Sequence, residues 1–172
     1  MTFNKFAVII FSMKYVTEEF LEDIEDYLLE KYEYEYEQPL QHILFQTVDY
    51  SKITIENIVK TDVETFQDKL FQMIKDKNLD EVEIYKKGNI SRQLFSKIRS
   101  EKDYHPAKNT VFSLAIGMEL NIDEASELLE KAGFAFSSAS KADLIIQYFM
   151  YHKNYNIFAI NEVLEKYGLE TL

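Results

Sequence analysis

The stretch from Leu79 to Leu120, LDEVEIYKKGNISRQLFSKIRSEKDYHPAKNTVFSLAIGMEL, constrains the chain more than any other. It reads as a short helix, a tight turn, a basic second helix, a Pro-punctuated loop and a third helix. Asp80 is placed to cap a helix running through Lys86. Gly88 and Asn89 supply a turn, since both residue types tolerate positive φ. Ser91 is a good N-cap for a helix from Arg92 to Arg99, whose buried side is Leu94, Phe95 and Ile98. Pro106 begins the next helix, where its missing N–H costs nothing. That helix runs to about Leu120 through Val111, Leu114, Ala115 and Met118.

The flanks extend the helical pattern. TFQDKLFQMIKDK puts Phe66, Leu70, Met73 and Ile74 on one side of a helix starting near Thr65. Asp123 to Ala132 makes a helix ended by Gly133. Lys141 to His152 and Ile157 to Tyr167 make two more, the last ending near Gly168. Before Thr65 the pattern is mixed. Phe6 to Phe11, FAVIIF, reads as a short buried strand, and His42 to Tyr50 as a second. Between them Thr17 caps an acidic amphipathic helix over 18–32, with Phe20, Ile24, Tyr27 and Leu28 inward. The alternating YEYEYE of Tyr32 to Glu37 suits an edge strand or a frayed helix end, and Pro39 stops either. A soft boundary falls near Asp62. It separates an acidic N-terminal α/β segment (1–62) from a helical domain with a C-terminal helical extension (63–172).

Composition narrows the chemistry. The 172 residues contain no Cys, which excludes a disulfide scaffold, a thiolate metal site and a Cys nucleophile. Phe and Tyr together number 25, enough for a substantial core, while four Gly and two Pro favour helices with short connections. No apolar run reaches membrane length, so a cytoplasmic protein without membrane contact is expected. The net charge of −11 is unevenly spread. Residues 1–65 hold 14 acidic and 5 basic side chains, whereas Lys86 to Lys108 hold 7 basic against Glu101 and Asp103 alone. A basic island therefore sits on an acidic body, which is the charge pattern of a nucleic-acid contact surface.

The order of short helix, turn and basic helix is that of a helix-turn-helix module. Residues 65–130 resemble the Cro/repressor-type helix-turn-helix fold, a bundle of five helices. The matching positions are Leu79 before the second helix, Asn89-Ile90-Ser91 at the turn, and Phe95 with Ile98 on the third helix. NTVFSLAIGMELNIDEASELL resembles the fourth and fifth helices, with Ala115 at the small packing position. A longer resemblance runs through VEIYKKGNISRQLFSKIRSEKDYHPAKNT, LAIGMEL, LLEKAGFAFS, SKADLIIQYF and NYNIFAINEVL. These segments are similar to the C-terminal region appended to bacterial macro-domain proteins and also found in small stand-alone proteins. FAVIIFSMKYVTEEFLEDIEDYLLEKY looks like the last strand and helix of the macro domain itself. The Gly-rich loops that cradle ADP-ribose have no counterpart here, so neither ADP-ribose binding nor hydrolase activity is carried over. Two positions depart from the DNA-binding members. Glu81 stands where many have Gln, and would repel a phosphate. Tyr85 stands where they have Ala, and would part the second and third helices or lie across the groove-facing side.

The expected product is a mainly α, non-enzymatic regulatory protein built on a five-helix bundle. If the Arg92 helix enters a major groove, Ser91, Arg92, Gln93, Ser96 and Lys97 reach bases or phosphates, with Lys102 and Lys108 neutralising phosphates from the flank. Lys86, Lys87 and Arg99 flank the same surface. His42, His105 and His152 are too scattered to hold a metal, and no cofactor or small-molecule substrate is implied. DNA is the first expected partner and a homodimer the expected assembly. The alternative is a protein-binding adaptor, or an inhibitor of the kind phage and mobile elements carry. It would act through the ten carboxylates of Glu18 to Glu37 or through Tyr148, Phe149, Tyr151, Tyr155 and Phe158.

Overall fold

A computed structural model of the protein describes residues 15–37, 64–101 and 104–172. All regular structure among the described residues is α-helical. Eight helices follow in order: α1 (Glu18–Glu37), α2 (Phe66–Asp76), α3 (Glu81–Lys87), α4 (Arg92–Ser100), α5 (Lys108–Gly117), α6 (Ile122–Lys131), α7 (Lys141–Tyr151) and α8 (Ile157–Lys166). The candidate strands Phe6 to Phe11 and His42 to Tyr50, the connector after them and Lys102 lie outside the described residues. YEYEYE continues α1 as helix, not as an edge strand.

The helix starts follow the side-chain capping rule. Thr65 and Asp68 form a reciprocal capping box at α2, and Asn121 and Glu124 form another at α6. Asp80, Ser91 and Ser140 cap α3, α4 and α7 through a side-chain oxygen that accepts from the N3 amide. Pro106 lies one position before the N-cap Ala107 of α5, so that helix begins two residues later than expected and has no side-chain cap.

The helix ends are more uniform than the sequence suggests. Each of α2, α3, α5, α6, α7 and α8 is followed by a residue at positive φ: Asn78, Asn89, Glu119, Gly133, Lys153 and Gly168. In each case the next residue donates its N–H to the carbonyl five positions back, as in Ile90 N to Tyr85 O at 2.8 Å and Leu120 N to Ala115 O at 3.0 Å. This is the Schellman closure, and Leu79, Ile90, Leu120, Phe134 and Leu169 fold an apolar side chain back over it. Only two of the six positive-φ residues are glycine.

Helix α5 is the centre of the molecule, with every residue from Val111 to Met118 buried. It packs on α3 and α6, α6 packs on α2 and α7, and α7 packs on α1 and α8. The α3–α5 crossing depends on two glycines. A Cβ on Gly88 would overlap the Ser113 carbonyl oxygen, and one on Gly117 would overlap the Ile84 carbonyl oxygen. Gly88 has φ −78°, so its role is close approach; of the expected Gly-Asn turn, Asn89 alone takes the left-handed conformation.

Helix α1 belongs to the same core, across the boundary expected near Asp62. Leu21, Ile24 and Leu28 are buried in it. Phe20 stands edge-on to Tyr148 and Phe149, with ring centroids 5.6 and 5.2 Å apart, and Tyr27 meets Tyr148 at 5.1 Å. Glu25 accepts from Lys166 Nζ and from the Tyr167 hydroxyl, both at 3.1 Å. The Tyr167 phenol is pushed well above its usual range, first by burial and then by that carboxylate.

Two substitutions separate close approach from backbone strain. Gly117→Ala forces the α3–α5 crossing apart and is expected to lower unfolding free energy by about 1–3 kcal/mol. Lys153→Gly relieves an exposed left-handed residue and is expected to raise it by about 0.5–1 kcal/mol. Urea unfolding followed by circular dichroism reads both. A neutral Gly117→Ala would remove the crossing as a constraint.

Candidate nucleic-acid interface

The basic helix α4 is capped locally at its start and tied at its end to another helix. Ser91 starts it, its Oγ accepting from Leu94 N at 3.1 Å. Its inward side is Phe95 and Ile98, both buried. Its C-terminus lacks the closure that ends its neighbours, and Glu101 is extended. Instead Gln67 of α2 donates its side-chain amide to the carbonyls of Ile98, at 2.6 Å, and Glu101. Gln67 is a structural residue that sequence reasoning passed over. Its helix face is polar and nothing local shows that it reaches a second helix.

This mounting leaves Ser91, Arg92, Gln93, Ser96 and Lys97 exposed together on α4. They divide into two stripes. Arg92 and Ser96, with Arg99 one turn further, face a cleft of about 440 Å³ whose opposite wall is Glu81, Val82 and Tyr85 of α3. Gln93 and Lys97 follow the neighbouring helical row. The first turn of α4 carries no carboxylate, unlike α1, α2, α3, α6 and α7.

Many of the basic side chains are answered from within the protein. Lys87 Nζ lies 2.7 Å from Glu119, whose hydrogen bond holds the Lys87 ammonium above the usual lysine range. Lys97 lies 3.5 Å from Glu101, one turn on, and 5.5 Å from the centre of the Tyr104 ring. Arg99 pairs with Glu81 and sits over the faces of Phe71 and Phe95 at 5.4 and 5.9 Å. Arg92 and Lys86 have no carboxylate partner among the described residues. Lys108 is set apart from the other candidates. It lies on α5, half-buried, and its ammonium is taken by Asp143 of α7. That carboxylate is itself buried and also accepts from Ser137 N at 2.7 Å and the Ser140 hydroxyl at 2.9 Å.

The two departures from the repressor pattern have specific places. Glu81 faces Arg99, so its charge is met inside the protein. Tyr85 is half-buried against Phe95, with ring centroids 5.8 Å apart, and forms part of the cleft wall. The close backbone contact that glycines permit lies instead between α3 and α5.

Of the aromatic residues expected to meet a protein partner, Tyr148 and Phe149 are core residues under α1. Tyr155 donates its hydroxyl to the Leu120 carbonyl at 3.0 Å. Tyr151 and Phe158 are exposed, at 71% and 54%, and Phe158 stacks on Tyr15 at 5.5 Å. Among the described residues no group of three or more His, Asp or Glu stands close enough to share a metal ion. No helix among them is long and apolar enough to cross a membrane.

Lys108→Ala should strand the Asp143 carboxylate on its two remaining hydrogen bonds and cost about 2 kcal/mol of stability. Thermal unfolding checks it; an unchanged midpoint would return Lys108 to the surface charges.

In comparisons with family models, curated proteins and solved structures, the chain matches none.

Proposed function

We propose that the protein is a non-enzymatic helix-turn-helix regulator that binds duplex DNA through α4. The observation that carries this reading is the solvent-facing display of Ser91, Arg92, Gln93, Ser96 and Lys97 on a helix capped by Ser91 and tied at its C-terminus to α2. Side chains that read bases must be held in a rigid register, and Arg and Gln are the types that pair bidentately with guanine and adenine. Arg92, without a carboxylate partner among the described residues, and the carboxylate-free first turn of α4 suit a phosphate or a guanine edge. The pairing of Lys108 with Asp143 assigns it to the scaffold, so the proposed interface is narrower than the basic island. A single copy of α4 covers one half-site, and a homodimer would present two.

A second reading is favoured by one observation. The face of α1 that carries Glu18, Glu19, Glu22, Asp23 and Asp26 is exposed, and beyond it Tyr151 and Leu29 are exposed too. A basic protein partner would fit that side. On this reading the protein is an adaptor or inhibitor and α4 is a solvated helix.

The discriminating measurement is fluorescence anisotropy with mixed-sequence duplex DNA over a salt series. Binding should weaken linearly with the logarithm of salt. The Arg92→Ala, Lys97→Ala double variant should lose about tenfold or more in affinity while keeping its unfolding midpoint. Full affinity in the double variant would remove α4 as the reader.

A further inference from the structure

The cleft between α3 and α4 contains a positioned cation that the protein itself neutralises. The Arg99 guanidinium is located by the ring faces of Phe71 and Phe95 and closed off by the Glu81 carboxylate of the opposite helix. We propose that Glu81 occupies the place of a DNA backbone phosphate on Arg99, and so sets how many phosphates α4 can neutralise. This rests on the DNA-binding reading above and goes beyond it by assigning Arg99 as a masked phosphate site and Glu81 as its competitor.

Three features support the exchange. A planar guanidinium presents the same fork of donors to a carboxylate and to a phosphate, so one can replace the other without moving the arginine. Both partners are substantially exposed, and exposed ion pairs are weak enough for an incoming anion to displace. The cleft also brings Arg92 and the Ser96 hydroxyl onto the same helical stripe as Arg99, with a volume of about 440 Å³ for the entering group. A phosphate there would meet two guanidinium groups and a hydroxyl once Glu81 turned aside. The other pairs of the basic island differ in placement: Lys97–Glu101 is local to one end of α4, and Lys87–Glu119 joins α3 to the residue that closes α5.

The test compares wild type with Glu81→Gln, Glu83→Gln, Arg99→Gln and the Glu81→Gln/Arg99→Gln pair, by anisotropy with mixed-sequence duplex DNA across a salt series. Glu83 is the control, an exposed carboxylate on the same helix that does not line the cleft. Glu81→Gln should bind about fivefold tighter at low salt, the size of effect an exposed pair can have. Its log–log salt slope should steepen by about 0.9, one additional phosphate. Glu83→Gln should leave the slope unchanged. Arg99→Gln should cost little in the wild-type background and abolish the gain in the Glu81→Gln background. Glu81→Ala, expected to match Glu81→Gln, covers the case in which the glutamine variant folds poorly.

If wild type binds through Arg92 and Lys97 but Glu81→Gln has the same slope as Glu83→Gln, the masking is overturned and the DNA reading stands. If neither wild type nor any folded variant binds DNA, both are overturned together. Binding by Glu81→Gln alone would support the masking of Arg99 and overturn DNA binding by the wild-type protein.

Discussion

The crossing of α3 over α5, where Gly88 and Gly117 let backbone touch backbone, is the constraint on which the rest of the structure depends. Helix α5 is buried along nearly its whole length and cannot shift without moving α3 and α6. With α3 seated against it, the left-handed Asn89 and the Ile90 closure fix the direction in which the chain leaves. That direction aims α4. A methyl group at either glycine would strike a carbonyl oxygen, which is backbone and cannot rotate away as a side chain can.

Once aimed, α4 is secured differently from the six helices whose ends close on themselves. Six neighbours end in a self-contained closure in which their own next residue satisfies the last carbonyls. Helix α4 does not, and its final carbonyls accept from Gln67 across the bundle. The helix proposed to meet a ligand is thus tied at its far end to α2, while its near end, from Ser91, is open to solvent. Rigidity of this kind suits recognition through side-chain register.

Electrostatics within the bundle change what the charge pattern of the chain means. Seven basic residues in 86–108 suggest a broad positive surface, but Lys87, Lys97, Arg99 and Lys108 each meet a carboxylate contributed by another turn or another helix. Among the described residues what remains is a narrower feature centred on Arg92 and Lys86. The acidic helix α1 undergoes a related change. One of its carboxylates, Glu25, is drawn to Lys166 and Tyr167, and its apolar side caps the aromatic residues of α7.

Much of the helical framework was legible because its signals are local. Caps at Asp80 and Ser91, the periodic apolar positions of α2 and α4, and the stops at Gly133 and Gly168 lie within a few residues of what they control. The exposure of Ser91, Arg92, Gln93, Ser96 and Lys97 was readable for the same reason, since burial of Phe95 and Ile98 sets the opposite face. Non-local contacts were not legible. Glu119 and Lys153 take left-handed conformations that their side chains do not advertise, because closure of the helix end outweighs the residue's own preference. Nor does any pattern within the chain announce that Gln67 reaches α4, that Asp143 takes Lys108, or that Glu81 answers Arg99. These pairs stand 31, 35 and 18 positions apart, and only packing of the helices brings them together. Local chemistry determined by itself where most helices begin and end and which side of each turns inward. Tertiary structure decided which charges stay free, because a side chain's partner depends on which helix lies beside it.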